Sequence, residues 1–202
     1  MVSDGGDEDL APVAAPFRDA LRLRLAEAGG AGPAGARNRG LAVARGEIAL
    51  FTDDDCRPQS GWVAALAAGV SGKPPVAAGG ATFNGLPEDP YADAAQLILL
   101  LLSRHDRAAV GHERLLASNN LAFPLAELRA MGGFDERLRT AEDREICRRW
   151  LAAGFELTRV AGAVVEHDER MNLAGFARKF FQYGRGAAQF HGSAVRPGAS
   201  FL

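Results

Sequence analysis

The residues best able to do chemistry close an apolar run: Ile48-Ala49-Leu50-Phe51-Thr52 leads straight into Asp53-Asp54-Asp55. On an extended backbone, side chains two apart point the same way, so Asp53 and Asp55 are expected to share a face. Two carboxylates so placed repel, and both stay ionised only with a cation or strong donors nearby. A hard divalent ion such as Mg2+ or Mn2+ suits them, taking few carboxylates and completing its shell with water and phosphate oxygens. A solvated acidic turn explains the same residues, and the triplet alone leaves the two readings level. A further carboxylate, Asp143, stands at the start of the helical pattern over residues 141–153. It suits a general base, although the helix dipole would hold its pKa down, and a dipole-stabilising helix acid is the competing reading. His167 ends the run Val164-Val165-Glu166, as a metal or phosphate contact or as a half-buried strand-end histidine.

These groups need a scaffold. Short apolar runs alternate with helical stretches, the pattern of an α/β domain. Leu21, Leu23 and Leu25 alternate with Arg22 and Arg24, which predicts a strand with one buried face. After Gly29-Gly30-Ala31-Gly32-Pro33 a helix is expected to about Arg45, and Gly46 stops it. Strands are predicted over residues 47–52, 76–83, 116–123 (interrupted by Asn119 and Asn120), 155–160 and 164–166. Helices are predicted over 62–70, 90–103, 125–131, 141–153 and 172–189. Ile146, Trp150 and Leu151 mark the buried side of the fourth of these. Leu97-Ile98-Leu99-Leu100-Leu101-Leu102 falls short of the ~20 residues of a membrane span and reads as a buried core helix. Val2-Ser3-Asp4-Gly5-Gly6-Asp7 reads as a strand exit and acidic turn with no complete strand before it, so the domain is expected to begin upstream of Met1.

Composition narrows the function. The chain has 202 residues, a length that fits one compact domain. Its 23 Lys plus Arg against 25 Asp plus Glu give a net charge of −2, which argues against a nucleic-acid binder. Residues 1–10 are acidic and Gly-rich, unlike a signal peptide. Cys56 and Cys147 make no disulfide framework and read as packing residues, so a cytoplasmic setting is expected. His105, His112 and His191 lack zinc-ligand spacing, and Gly29 to Gly35 lack the G-x-G-x-x-G pattern. Between Arg170 and the C-terminus there are five basic residues and no acidic one. Phe176, Phe180 and Phe181 there read first as core, and residues 170–190 read second as a peripheral contact at the inner face of an anionic membrane.

Five blocks in order add a resemblance. They are Pro33-Ala34-Gly35-Ala36-Arg37-Asn38-Arg39-Gly40, then Phe51-Thr52-Asp53-Asp54-Asp55-Cys56-Arg57-Pro58 with Trp62, then Ser118-Asn119-Asn120-Leu121-Ala122-Phe123 followed by Gly132-Gly133-Phe134-Asp135-Glu136. Ala141-Glu142-Asp143-Arg144-Glu145 with Arg149 and Gly154 comes next, and Val164-Val165-Glu166-His167 last. Together they resemble the family 2 glycosyltransferases. The resemblance implies an α/β GT-A fold: a Rossmann-like nucleotide-binding half with a mixed sheet, joined to an acceptor-binding half. It implies one domain over 1–202, with 1–83 for nucleotide and metal, 84–170 for acceptor and catalytic base, and 171–202 as an amphipathic helix and tail.

By the same resemblance Asp4 matches an aspartate that recognises the donor base, and Arg37 a basic residue lining the nucleotide site. Asp53 to Asp55 match the DXD motif, with Asp55 the direct ligand of Mn2+ or Mg2+ and Asp53 or Asp54 holding ribose or outer-shell water. Asp143 matches the catalytic base, and His167 a histidine near metal and diphosphate. Asn119, Asn120 and Glu142 fall where sugar or acceptor contacts are made. The family's opening strand is absent, and Ser3 and Gly6 replace an Asp and a Ser common in the acidic turn.

The implied reaction moves a sugar from a nucleotide-diphosphate donor to a hydroxyl of a glycan, a lipid-linked glycan or a small molecule. Breaking a sugar–diphosphate bond needs the leaving charge neutralised and the attacking hydroxyl deprotonated, which a metal and a carboxylate supply. One in-line displacement inverts the anomeric centre. Two rivals stand beside it. One is a catalytically dead, truncated relative acting as a binding or assembly module; the other is a sugar nucleotidyltransferase, which the lack of a Gly-rich triphosphate loop with a Lys disfavours.

Overall fold

The computed structural model describes residues 1–6, 9–110 and 115–194. Asp7, His112 and the tail from residue 195 lie outside the described residues. Two short strands, β1 (Val2–Ser3) and β2 (Ala26–Glu27), pair in parallel, with α1 (Ala11–Ala14) between them in sequence. Next come α2 (Gly32–Val43), β3 (Ile48–Phe51), β4 (Cys56–Pro58), α3 (Trp62–Gly69), β5 (Val76–Asn84) and α4 (Pro90–Val110). The second half adds β6 (Leu121–Pro124), α5 (Leu125–Ala130), α6 (Glu142–Ala152), β7 (Glu156–His167) and α7 (Leu173–Ala194). Five strands form one mixed sheet in the order β3-β6-β5-β7-β4, parallel only between β5 and β7. Because β6 lies between β3 and β5, both halves of the sequence build the same sheet.

Strand alternation divides the core into two layers. On β6, Leu121 and Phe123 pack with Ile146, Cys147 and Trp150 of α6, whereas Ala122 between them packs with Trp62 and Leu66 of α3. Successive strand side chains point to opposite faces, so α6 and α3 cover opposite sides of the sheet. Trp150 stacks edge-on to Phe123 at 5.0 Å. Gly80 must be a glycine, because a Cβ there would overlap the Ala163 carbonyl of β7 and the Asn120 amide.

Polar staples fix the loop between α5 and α6. Asn38 of α2 accepts from the Phe134 amide and donates to the Phe134 carbonyl, both at 2.8 Å. Arg149 of α6 donates to the carbonyls of Met131 and Gly133.

Four sequence expectations need correction. The strand expected over 116–123 is only β6 (Leu121–Pro124), because Ser118–Asn120 wind into a 3-10 turn before it. Leu21, Leu23 and Leu25 form no strand, and Leu21 is 57% exposed; pairing is confined to Ala26–Glu27, so their alternation has no surface to bury against. The strands expected over 155–160 and 164–166 are one, β7, because the sheet absorbs the small residues 161–163 as a register shift between Gly79 and Ala81 of β5. The leucine run of α4 is not core: Leu97, Leu100, Leu101 and Leu102 are all exposed.

Candidate active site

β3 ends at Phe51, and the backbone turns at once: the Cys56 N–H donates to the Asp53 carbonyl at 3.2 Å. Asp53 to Cys56 is thus a tight turn, not extended chain, and the alternation that would put Asp53 and Asp55 on one face does not apply. The two go to different partners. Asp53 Oδ1 accepts from Arg37 Nη2 at 2.8 Å, Asp55 Oδ2 lies 3.0 Å from His167 Nε2, and Asp54 between them is exposed.

Arg37 joins the two acidic segments. From α2, its Nη1 donates to Glu142 Oε1 at 2.8 Å while Nη2 holds Asp53, and its guanidinium lies 5.8 Å from the Phe134 ring centre. Its side chain is only 12% exposed. Glu142 follows Ala141, whose φ of 67° makes it the sole non-glycine at positive φ among the described residues. A left-handed alanine costs roughly 1–2 kcal/mol, and such strain gathers where geometry matters. This turn starts α6 with Glu142 buried against Arg37 and Asp143 half-buried beside it.

Burial raises the Glu142 carboxyl, with the Asp143 charge adding to it and Arg37 opposing. Burial also raises Asp143, and the Arg144 backbone amide, which donates to Oδ1 at 2.7 Å, does not cancel it.

The other corner is built by strand register. β4 and β7 pair Cys56 with His167, which brings the end of the acidic turn beside the imidazole. The hydrogen bond to Asp55 raises His167, and the same bond lowers Asp55. Burial pushes the Cys56 thiol up to about 12. Ligand atoms of Asp55, Cys56 and His167 lie within 4.8 Å of one another. A carboxylate, an imidazole and a thiol at this spacing fit a divalent cation, with the protonated thiol the weakest donor. Asp53, bound to Arg37, is outside this cluster.

Beyond His167, Glu169 lies 3.9 Å away and is itself bound by Lys179 of α7. With Asn84, Gln96 and Met171 these residues line a small polar pocket.

The remaining expected residues are dispersed. Asp4 follows β1, and its Oδ1 is buried with no hydrogen-bond partner among the described residues. Asn119 Oδ1 accepts from Thr82 Oγ1 at 3.2 Å. Asn120 is 1% exposed; it accepts from Trp62 Nε1 and donates to the carbonyls of Ala81 and Ala163. Its amide thereby joins α3, β5 and β7. Sequence reasoning missed Cys56, Glu169 and Lys179 as neighbours of His167. Only Cys56 carried a signal, its place directly after the aspartates.

Residues 1–115 match the family model described as glycosyl transferase family 2. The pre-mycofactocin glycosyltransferase of Mycobacterium tuberculosis is 34% identical over 163 residues, which are 78% of this chain and 34% of that protein. The chain therefore spans about a third of the length of the curated relatives it matches. Among solved structures, the mannosyltransferase PcManGT from Pyrobaculum calidifontis, in complex with GDP-Man and Mn2+, superposes with a TM-score of 0.70 at 20% identity, covering 98% of this chain and 54% of that one. Glucosyl-3-phosphoglycerate synthase from Mycobacterium tuberculosis, in complex with phosphoglyceric acid, gives 0.63 at 16% identity, covering 98% and 69%. At such identities the likeness speaks for the fold alone, and that fold is GT-A.

Proposed function

The chain belongs to glycosyl transferase family 2, and from that premise we propose that it moves a sugar from a nucleotide-diphosphate donor to a hydroxyl acceptor, metal-dependent and with inversion. The observation that carries this reading is Arg37, which ties Asp53 of the acidic turn to Glu142 at the start of α6 and so makes two distant segments one site. Asp55 and His167 are the residues to hold Mn2+ or Mg2+, with Cys56 at the margin. Such an ion, when bound, neutralises the charge of the leaving diphosphate.

Asp4 Oδ1, buried without a partner among the described residues, is the acceptor for an N–H of the donor base. Asp54, and Asp53 where Arg37 leaves it free, face the donor ribose and outer-shell water. Asp143 takes the proton of the acceptor hydroxyl while that oxygen attacks the anomeric carbon, and the bond to the diphosphate breaks with its electron pair going to the phosphate oxygen. A carboxyl raised by burial is the stronger base for this step. One in-line displacement inverts the centre. Arg37 positions Glu142 next to this base, and Asn119 and Asn120 are the candidate acceptor contacts. Residues 1–83 then serve the donor and, with His167, the metal, 84–170 also serve the acceptor and base, and the segment from residue 171 follows with α7.

The GDP-Man and Mn2+ of the PcManGT complex, and the UDP-Glc and Mn2+ of a glucosyl-3-phosphoglycerate synthase complex, support the donor class and a divalent metal. The name of the Mycobacterium tuberculosis relative makes pre-mycofactocin the first acceptor to try. Calorimetric titration with UDP, GDP and TDP, with and without Mn2+, tests the donor site. One nucleotide is expected to bind in a Mn2+-dependent way that Asp55→Asn abolishes. Folded protein that binds none of the three turns the reading toward a binding module.

A further inference from the structure

Two neighbouring helices carry apolar side chains that the fold leaves uncovered. On α4, Ala92 and Ala95 are buried, while Leu97 is 55% and Leu101 57% exposed one turn apart, with Leu100 exposed beside them. On α7, Phe176 and Phe180 stack on each other, and Phe176 stacks on Tyr91 of α4. On the side of α7 turned away from that stack Phe181 is 68% exposed, and Leu173, which flanks the stack three residues before Phe176, is 64% exposed. Phe181 stands between Arg178 and Arg185, about one helical turn from each, and both arginines are exposed without an ion pair among the described residues. The helix holds no acidic residue from Leu173 to Ala194, and its Lys179 is spent on Glu169. In a protein of net charge −2, this apolar stripe rimmed by uncompensated arginines stands out.

An apolar face with cationic flanks has the make-up of a helix lying in a membrane interface, where acyl chains take the aromatic and anionic headgroups take the arginines. No helix among the described residues is long and apolar enough to cross a membrane, so the contact would lie on the surface. We propose that the exposed faces of α7 and α4 dock the chain on an anionic phospholipid surface, with Phe181 inserted, Arg178 and Arg185 on headgroups, and the leucine ridge of α4 extending the contact. Both helices also line the pocket that holds His167, through the inward-facing Gln96 of α4 and Lys179 of α7. The inference concerns where the chain sits and is independent of the proposed reaction.

Co-sedimentation of the full chain with vesicles of phosphatidylcholine alone, or mixed with phosphatidylglycerol, tests it. Pelleting is expected with the mixed vesicles only. Replacing both Arg178 and Arg185 by Gln weakens it roughly 5-fold per arginine, and Phe181→Ser weakens it roughly 10-fold. Circular dichroism checks that each variant is folded; if Phe181→Ser is not, the arginine pair carries the test. No pelleting with either vesicle overturns the proposal, as does pelleting that both variants leave unchanged. So does a dimer in sedimentation velocity that Phe181→Ser dissolves, which would make a second copy the occupant of this face.

Discussion

Asp53 and Asp55 leave the same turn, yet one meets a permanent cation and the other a titratable one. At the Arg37 corner, a guanidinium that cannot lose its proton bridges two carboxylates, and Glu142 and Asp143 are still pushed toward the protonated form by burial. At the His167 corner, the Asp55 side chain is 40% exposed and its carboxyl is held below its usual range. The dominant cause differs: burial raises Glu142 and Asp143, whereas the hydrogen bond to His167 lowers Asp55 against its own burial. Burial makes a carboxyl that seeks protons, as a base needs; a hydrogen bond to a partner that can carry a proton makes one that stays ionised, as a cation ligand needs.

The largest break in this comparison is Arg37→Met. It leaves Glu142 buried without a counter-charge, and breaking such a pair costs about 3 kcal/mol or more in chemical denaturation at neutral pH. Because Glu142 can take up a proton, the loss should shrink as pH is lowered. A loss below about 1 kcal/mol that does not change with pH would mean that Arg37 is not the clamp described above.

A smaller effect sharpens the comparison through its sign. Asp143 and Glu142 have raised folded-state values, so the folded form binds their protons more tightly, and stability falls as pH rises above the ordinary 3.8 and 4.5 toward those raised values. Asp55 is lowered, so its contribution is present above 3.8 and lost as pH falls through its depressed value. His167 is raised from 6.5, so its contribution is present below 6.5 and lost as pH rises through its folded-state value. In thermal melts near neutral pH, Asp143→Asn is therefore expected to raise Tm by roughly 2–4 °C, while Asp55→Asn lowers it by less. Shifts of the same sign would erase the distinction between the corners.

Much of the architecture was legible in the sequence because its signals are local. The stop at Gly46, the apolar run into Asp53 and the one-sided pattern of Ile146 and Trp150 each follow from a few adjacent residues. The α2, β3 and α6 elements stand where those signals put them. What was not legible depends on distant partners. Nothing near Arg37 says that it bridges Asp53 to Glu142, and nothing near Asn120 says that Trp62, Ala81 and Ala163 will hold its amide. The leucines of α4 and those at Leu21 to Leu25 share another cause. Periodicity marks which side chains could be buried, and only the assembled fold shows whether a covering surface exists. Asp143 lies between these cases: its position was readable, but the rise of its pKa needed the packing around α6.

The central claim is that Asp143 takes the proton from the attacking hydroxyl. The most direct measurement is the rate of nucleoside diphosphate release from the nucleotide-sugar, with water as acceptor, for the native chain and Asp143→Asn, with donor affinity followed by calorimetry. The account predicts release slower by roughly 10²–10⁴-fold at unchanged affinity. Equal rates, or a slower rate explained by lost donor binding, would contradict it.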